Sequence, residues 1–216
     1  MYYDPDVNDH GLPFNPIKAL VAPRPIGWIS SISMDGVGNL APYSFFNMLS
    51  YNPAYLMFSA GCKEDGSKKD SVVNIEQTGE FVFNMAHWDT RTKMSDTSWI
   101  DDPKIDELLE CGLTPTRAQK VKVPMVKEAP AHMECVHHKT VELPGHDPES
   151  VHHMVIGRVV MVHINDAFIN DKGLVDITKI KPIARLGYMD YCAVNEVFSM
   201  KKRTVEEKLT PKVAAE

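Results

Sequence analysis

Two short stretches carry residue types that could hold a flat, phosphorylated organic molecule. Ser44-Phe45-Phe46-Asn47 sets two aromatic rings beside a hydroxyl and a carboxamide. Lys69-Asp70-Ser71 sets a cation and a hydroxyl where a helix opens. A helix N-terminus presents unpaired N–H groups and a positive partial charge, so it attracts phosphate. An isoalloxazine ring is an apolar slab with a polar pyrimidine edge. It needs apolar walls and a few convergent donors. Together the two stretches make the chain a candidate flavin protein. Taken singly, a capped helix with a solvated lysine and an ordinary strand end account for the same residues. Two adjacent aromatics cannot face the same side of a regular strand. One of Phe45 and Phe46 is therefore expected to leave the core at a bend.

Other chemistries fare less well. His132, Cys135, His137, His138, His152 and His153 fall on one predicted hairpin and raise the question of zinc. Strand alternation puts His132 and His138 on one face and Cys135 and His137 on the other. Four ligands converging tetrahedrally are not expected from such a split set, so no metal site is assigned. There is no Gly-x-Ser-x-Gly elbow, P-loop or dinucleotide glycine fingerprint. A nicotinamide can still stack on a bound flavin without a domain of its own.

The elements that must position these residues are short. Fifteen prolines and several Gly turns favour strands over long helices. Arg24 to Ser30 reads as a strand, extending to Ser33, and Met34 to Asn39 as its turn. Asn39 to Asn47 follows. Pro53 precedes a near-continuous apolar strand from Ala54 to Gly61. Ser71 to Thr78 reads as a helix capped by Asp70 and stopped by Gly79. Glu80 to Met85 is a strand. Arg91 to Glu110 reads as one helix with Ile105, Leu108 and Leu109 as its apolar stripe, ended by Cys111-Gly112. Two long strands, Ala131 to Leu143 and Val151 to Ile164, are joined through Pro144 to Ser150. Strands joined by short turns predict an antiparallel barrel with helical insertions.

Size and charge set the outer limits. The 216 residues can bury one sizeable core, and the whole chain, 1–216, reads as a single domain. The formal net charge of −6 argues against a nucleic-acid partner. Cys62, Cys111, Cys135 and Cys192 are scattered, without a CxxC pair, as in reduced cytosolic proteins. No signal segment and no apolar run near the ~20 residues of a membrane helix is visible, so a cytoplasmic protein with no membrane partner is expected. The charged tail from Lys201 is expected to be partly disordered or to pack on a partner.

Taken in order, Pro23 to Ser30, Asn39 to Asn47, Asn52-Pro53, Lys69-Asp70-Ser71 with Asn74-Ile75, Thr78 to Asn84, His152 to Val159 and Ile183 to Gly187 resemble the flavin reductase-like family. The resemblance covers about residues 15 to 200. It implies a mainly β fold, an antiparallel Greek-key split β-barrel with inserted short helices. It also implies a homodimer that binds FMN in a groove near the subunit interface. By that likeness Ser30, Ser44, Phe45, Phe46 and Asn47 line the isoalloxazine and ribityl chain. Ser59 and Ala60 continue the groove, and Lys69, Asp70 and Ser71 reach the phosphate. His152 aligns with a histidine near the nicotinamide, with His153 as an adjacent register. Arg24 and Arg185 match recurrent positions without an assigned role. The implied activity is NAD(P)H:FMN oxidoreduction, with NAD(P)H as co-substrate and a monooxygenase component as one recipient of reduced flavin. A flavoredoxin-like FMN electron carrier, or reductase of another acceptor, is the second reading. A split-barrel binding protein without redox turnover is the third.

Overall fold

A computed structural model describes residues 1–200. The expectation for the tail lies outside the described residues. The strands are β1 (Arg24–Pro25), β2 (Gly27–Ile32), β3 (Gly38–Tyr43), β4 (Phe46–Tyr51), β5 (Ala54–Gly61), β6 (Glu80–Met85), β7 (Pro115–Thr116), β8 (Met125–Val126), β9 (Ala131–Leu143), β10 (His152–Ile164), β11 (Ile183–Arg185) and β12 (Tyr191–Ala193). The helices are α1 (Ile17–Leu20), α2 (Asp70–Thr78), α3 (Arg91–Asp96), α4 (Glu107–Glu110) and α5 (Ile177–Ile180).

Seven strands form one antiparallel sheet in the order β3-β2-β6-β9-β10-β5-β4. The sheet curls until Tyr43 of β3 meets Phe58 of β5, their ring centroids 4.6 Å apart. No ladder joins β3 to β5, so the barrel keeps a seam there. Alternation along β5 sends Leu56, Phe58 and Ala60 into the barrel, where they pack with Ile29, Phe81 and Val155. α2 adds Val72 and Ile75 to the same cluster. Each such buried side chain contributes roughly 1.5–3 kcal/mol relative to exposure. Met57, Ser59 and Gly61 are left on the outer face of β5.

The β9–β10 hairpin is the spine of the sheet, as the two long strands read from the sequence predict. His138 on β9 and Val160 on β10 are the extra residues at two register shifts. At Gly157 a Cβ would lie 2.3 Å from the Phe81 ring, so only glycine lets β10 pass there.

Two expectations are corrected. Arg91 to Glu110 is not one helix: α3 ends at Asp96 and α4 begins at Glu107. Pro103 lies between them and removes a donor, while Asp106 caps α4 by accepting from the amides of Leu108 and Leu109. Of the expected stripe, Leu108 is buried but Ile105 and Leu109 are exposed. Secondly, Asp70 does not cap α2. The cap position is Lys69, and the Asp70 carboxylate lies one residue inside the helix, 2.8 Å from Lys63 Nζ. Gly79 ends α2 at φ 75°, as its lack of a side chain predicts.

The histidines of the hairpin separate by face. His132 lies under the 117–126 segment, its Nδ1 3.0 Å from Asn84 Oδ1. Asn84 Oδ1 also accepts from the Val126 amide at 2.8 Å. Fully buried Glu134 accepts from the amides of Gln119, Lys120 and Val121 at 2.7, 2.6 and 3.0 Å and meets His163 Nε2 at 2.5 Å. Among the described residues, no group of three His, Cys, Asp or Glu side chains is placed to hold a metal ion.

Candidate functional site

Where β4 leaves the barrel seam, the outer faces of β5 and β10 form the floor of a cleft of about 550 Å³. Its lining includes Ser44, Phe45, Asn47, Met57, Ser59 and His152. Register explains the gathering. Asn47 pairs with Met57, Ser59 with Met154, and Gly61 with His152. Ser59 Oγ lies 3.3 Å from His152 Nδ1. The Ser59 amide donates to the Phe45 carbonyl at 2.8 Å and so ties the bend between β3 and β4 to the floor.

The aromatic pair splits as expected. Phe46 turns inward and stacks on Phe83 at 4.8 Å, although its edge still reaches the cleft. Phe45 swings outward, 5.7 Å from the His152 ring and 5.7 Å from the Arg24 guanidinium. Arg24 is buried at 7% exposure. It donates to the carbonyls of Lys18 and Val21, while its buried Nε has no partner. Burial first, and then Lys18 and His153, hold the His152 pKa below the usual histidine value.

Past Gly61 the cleft gives way to a smaller polar pocket of about 150 Å³, lined in part by Lys69, Asp70, Ser71 and Tyr43. Lys69 Nζ is half-exposed and loosely paired, 3.5 Å from Asp101. Ser71 is buried: its hydroxyl donates to Asn39 Oδ1 at 2.7 Å and accepts from Tyr43 at 2.9 Å. Burial is the main reason the Tyr43 hydroxyl is pushed up to about 12. The amides of Asp70 and Ser71 open here without helical acceptors, whereas those of Val72 and Val73 donate to the Lys69 carbonyl.

This arrangement can be set beside known proteins. A family model described as the flavin reductase like domain matches residues 21–181. The chain belongs to that family. Nitrilotriacetate monooxygenase component B from Bacillus cereus is 30% identical and superimposes with a TM-score of 0.84, covering 93% of this chain and 98% of that one. A protein with a split barrel domain from Shewanella frigidimarina NCIMB 400 shares 21% identity and a TM-score of 0.78, over 94% of this chain and all of that one. A relative of undetermined function from Aquifex aeolicus is 39% identical over 171 residues, 79% of this chain and 84% of its own length. The fold is thus the split barrel that the family resemblance implied.

Within this flavin reductase-like frame, Ser44, Phe45, Phe46, Asn47, Ser59 and His152 share the cleft, and Lys69, Asp70 and Ser71 share the polar pocket. Two expected residues do not reach either. Ser30 is buried on the far side of β2, where its hydroxyl donates to the Pro124 carbonyl at 2.7 Å and accepts from Asn84. Ala60 points into the barrel core, because alternation places it opposite Ser59. The same alternation decides between the two histidines. His152 faces the cleft, whereas His153 is buried on the opposite face with Nδ1 unpartnered. Sequence reasoning missed Met57 and Met154. The period of two that removes Ala60 from the groove would have supplied both. It also missed Glu107, which is buried against the polar pocket and accepts from Asn39 Nδ2 and the Leu40 amide at 2.8 and 2.9 Å.

Proposed function

We propose that this chain is a cytoplasmic, homodimeric NAD(P)H:FMN oxidoreductase whose cleft holds FMN. The observation that carries the reading is the outward turn of Phe45 over a floor that sets Ser59 beside His152. The residues present fit the group. Phe45 and Met57 offer apolar walls. Asn47 and Ser59 offer polar side chains for the pyrimidine edge. Lys69 and the amides opening α2 are placed for the phosphate, while Ser71, its proton held by Asn39, borders the pocket.

Bound FMN would supply the redox chemistry, taking a hydride from nicotinamide C4 at N5 while NAD(P)⁺ leaves. The protein needs no general acid or base for that transfer. Its tasks are to hold the ring, leave one face open and donate hydrogen bonds where negative charge accumulates. His152 lines the cleft and positions the nicotinamide. The likeness to a monooxygenase component B supports a monooxygenase partner as the recipient of reduced flavin. The test is a visible absorption spectrum of the purified protein with added FMN, then anaerobic NADH or NADPH. A flavin band that bleaches on adding the nicotinamide is expected. A chain that takes up no FMN would overturn the reading. Stable FMN that neither nicotinamide reduces would favour the carrier.

A further inference from the structure

On the far side of Phe45 lies a second cavity, of about 590 Å³, that the flavin reading does not use. Ser44, Phe45 and Arg24 border both this cavity and the cleft. Its remaining wall includes Lys18, Arg185 and Tyr188. Three cations therefore meet in one cavity of a chain whose formal charge is −6. None of the three lies within ion-pair distance of a carboxylate among the described residues.

Topology, not chance exposure, creates the cluster. β1 and β11 pair with Arg24 directly opposite Arg185. Like charges directly opposite on adjacent antiparallel strands destabilise the pairing. Each guanidinium is nonetheless fixed in place. Arg24 is held by the carbonyls of Lys18 and Val21. Arg185 is held by Tyr188 and the Tyr191 hydroxyl, and it lies 4.5 Å over the Tyr191 ring. The arrangement holds the cations at a cost, and an anion placed between them removes that cost. The buried, unpartnered Arg24 Nε is a further donor.

We propose that this cavity binds the anionic group, a carboxylate or a phosphate, of the substrate that exchanges electrons with the flavin. The inference rests on the flavin reading above. Phe45 then marks the boundary, with a planar reacting ring on its cleft side and the charged end of the same molecule on its cationic side. A phosphate would come from the nicotinamide nucleotide; a carboxylate would come from an anionic electron acceptor.

The test titrates the full chain with sodium pyrophosphate and, separately, with benzoate, by calorimetry, before and after saturation with FMN. At least one anion is expected to bind the unaltered protein in both states. Lys18→Gln and Arg185→Gln are each expected to weaken it by about tenfold or more, the range of one charge-assisted contact. FMN affinity should stay within about twofold in both variants, since neither residue is placed in the cleft. Binding of pyrophosphate assigns the cavity to the nucleotide donor, and binding of benzoate assigns it to the acceptor. Failure of both anions to bind, or unchanged affinity in both variants, would overturn the proposal. So would displacement of the anion by FMN but not by riboflavin, because the cavity would then belong to the flavin's own phosphate. A chain that takes up no flavin would end the flavin reading, while the flavin-free titration still decides whether an anion binds here.

Discussion

Phe45 and Phe46 are neighbours in sequence and point opposite ways: Phe46 opens β4 facing the core and Phe45 faces out at the bend before it, since adjacent residues of an extended backbone cannot point the same way. That rule was readable in the sequence, and so was the presence of one outward ring. What local reading lacked was the facing of serines on apolar strands. Ser30 and Ser59 look alike in sequence, yet one seals a buried network with Asn84 and the other meets His152. Strand phase decides between them, and phase depends on partners far along the chain. Three outcomes follow at this scale. Lys69→Ala should weaken FMN binding by about tenfold or more, the worth of one charge-assisted contact, and leave riboflavin nearly unaffected. Fluorescence titration reads this, and equal loss for both ligands would sink the phosphate role. His152→Ala should slow flavin reduction by roughly tenfold with FMN still bound, through lost positioning. Stopped-flow absorbance checks it, and unchanged kinetics would remove His152 from the site. Gly157→Ala should destabilise the fold by about 1–3 kcal/mol in urea unfolding, because a methyl there meets the Phe81 ring at 2.3 Å.

At the scale of elements, the β9–β10 hairpin and α2 were legible from apolar runs and from Gly79. The broken 91–110 segment was not, because its polar residues fit a helix until Pro103 and the Asp106 cap are weighed together. The covering segment at 117–126 carries little periodicity. Its position is set by the buried carboxylate of Glu134, which takes three backbone amides. Those amides and the His163 contact outweigh burial, which alone would raise the carboxyl, and hold it below the usual range. Glu134→Gln turns one acceptor into a donor facing donors. A loss of about 2–4 kcal/mol in urea unfolding is expected, and a loss under about 0.5 kcal/mol would show that the segment is held otherwise. The same network predicts an acid sensitivity. Burial, and then His163, lower His132 from 6.5 to about 4. The unfolded chain therefore binds more protons between those values. Stability is full above pH 6.5 and falls as pH drops toward 4, by up to about 3 kcal/mol. His132→Gln should flatten that part of the stability profile, and an unchanged slope would place the acid sensitivity elsewhere.

At the scale of the whole molecule, sheet order was not readable from local pattern. Bringing β10 beside β5 and β9 beside β6 requires long-range pairing that periodicity does not encode. It was the ordered set of motifs that pointed to the split barrel. β4 is a sheet edge and exposes Met48, Leu49 and Tyr51, which are expensive to leave in water and which suit a second subunit. Light scattering is expected to give the mass of two chains, and Leu49→Lys to shift it toward one. A wild-type mass of one chain would end the homodimer reading.

Gly61 sits where the aromatic cleft meets the polar pocket, and a Cβ built there lies 3.4 Å from His152 Nε2. A side chain longer than a methyl there would crowd the His152 ring that lines the cleft. A bulky replacement at this junction should therefore be felt by a bound molecule long enough to extend from the aromatic rings to the opening of α2.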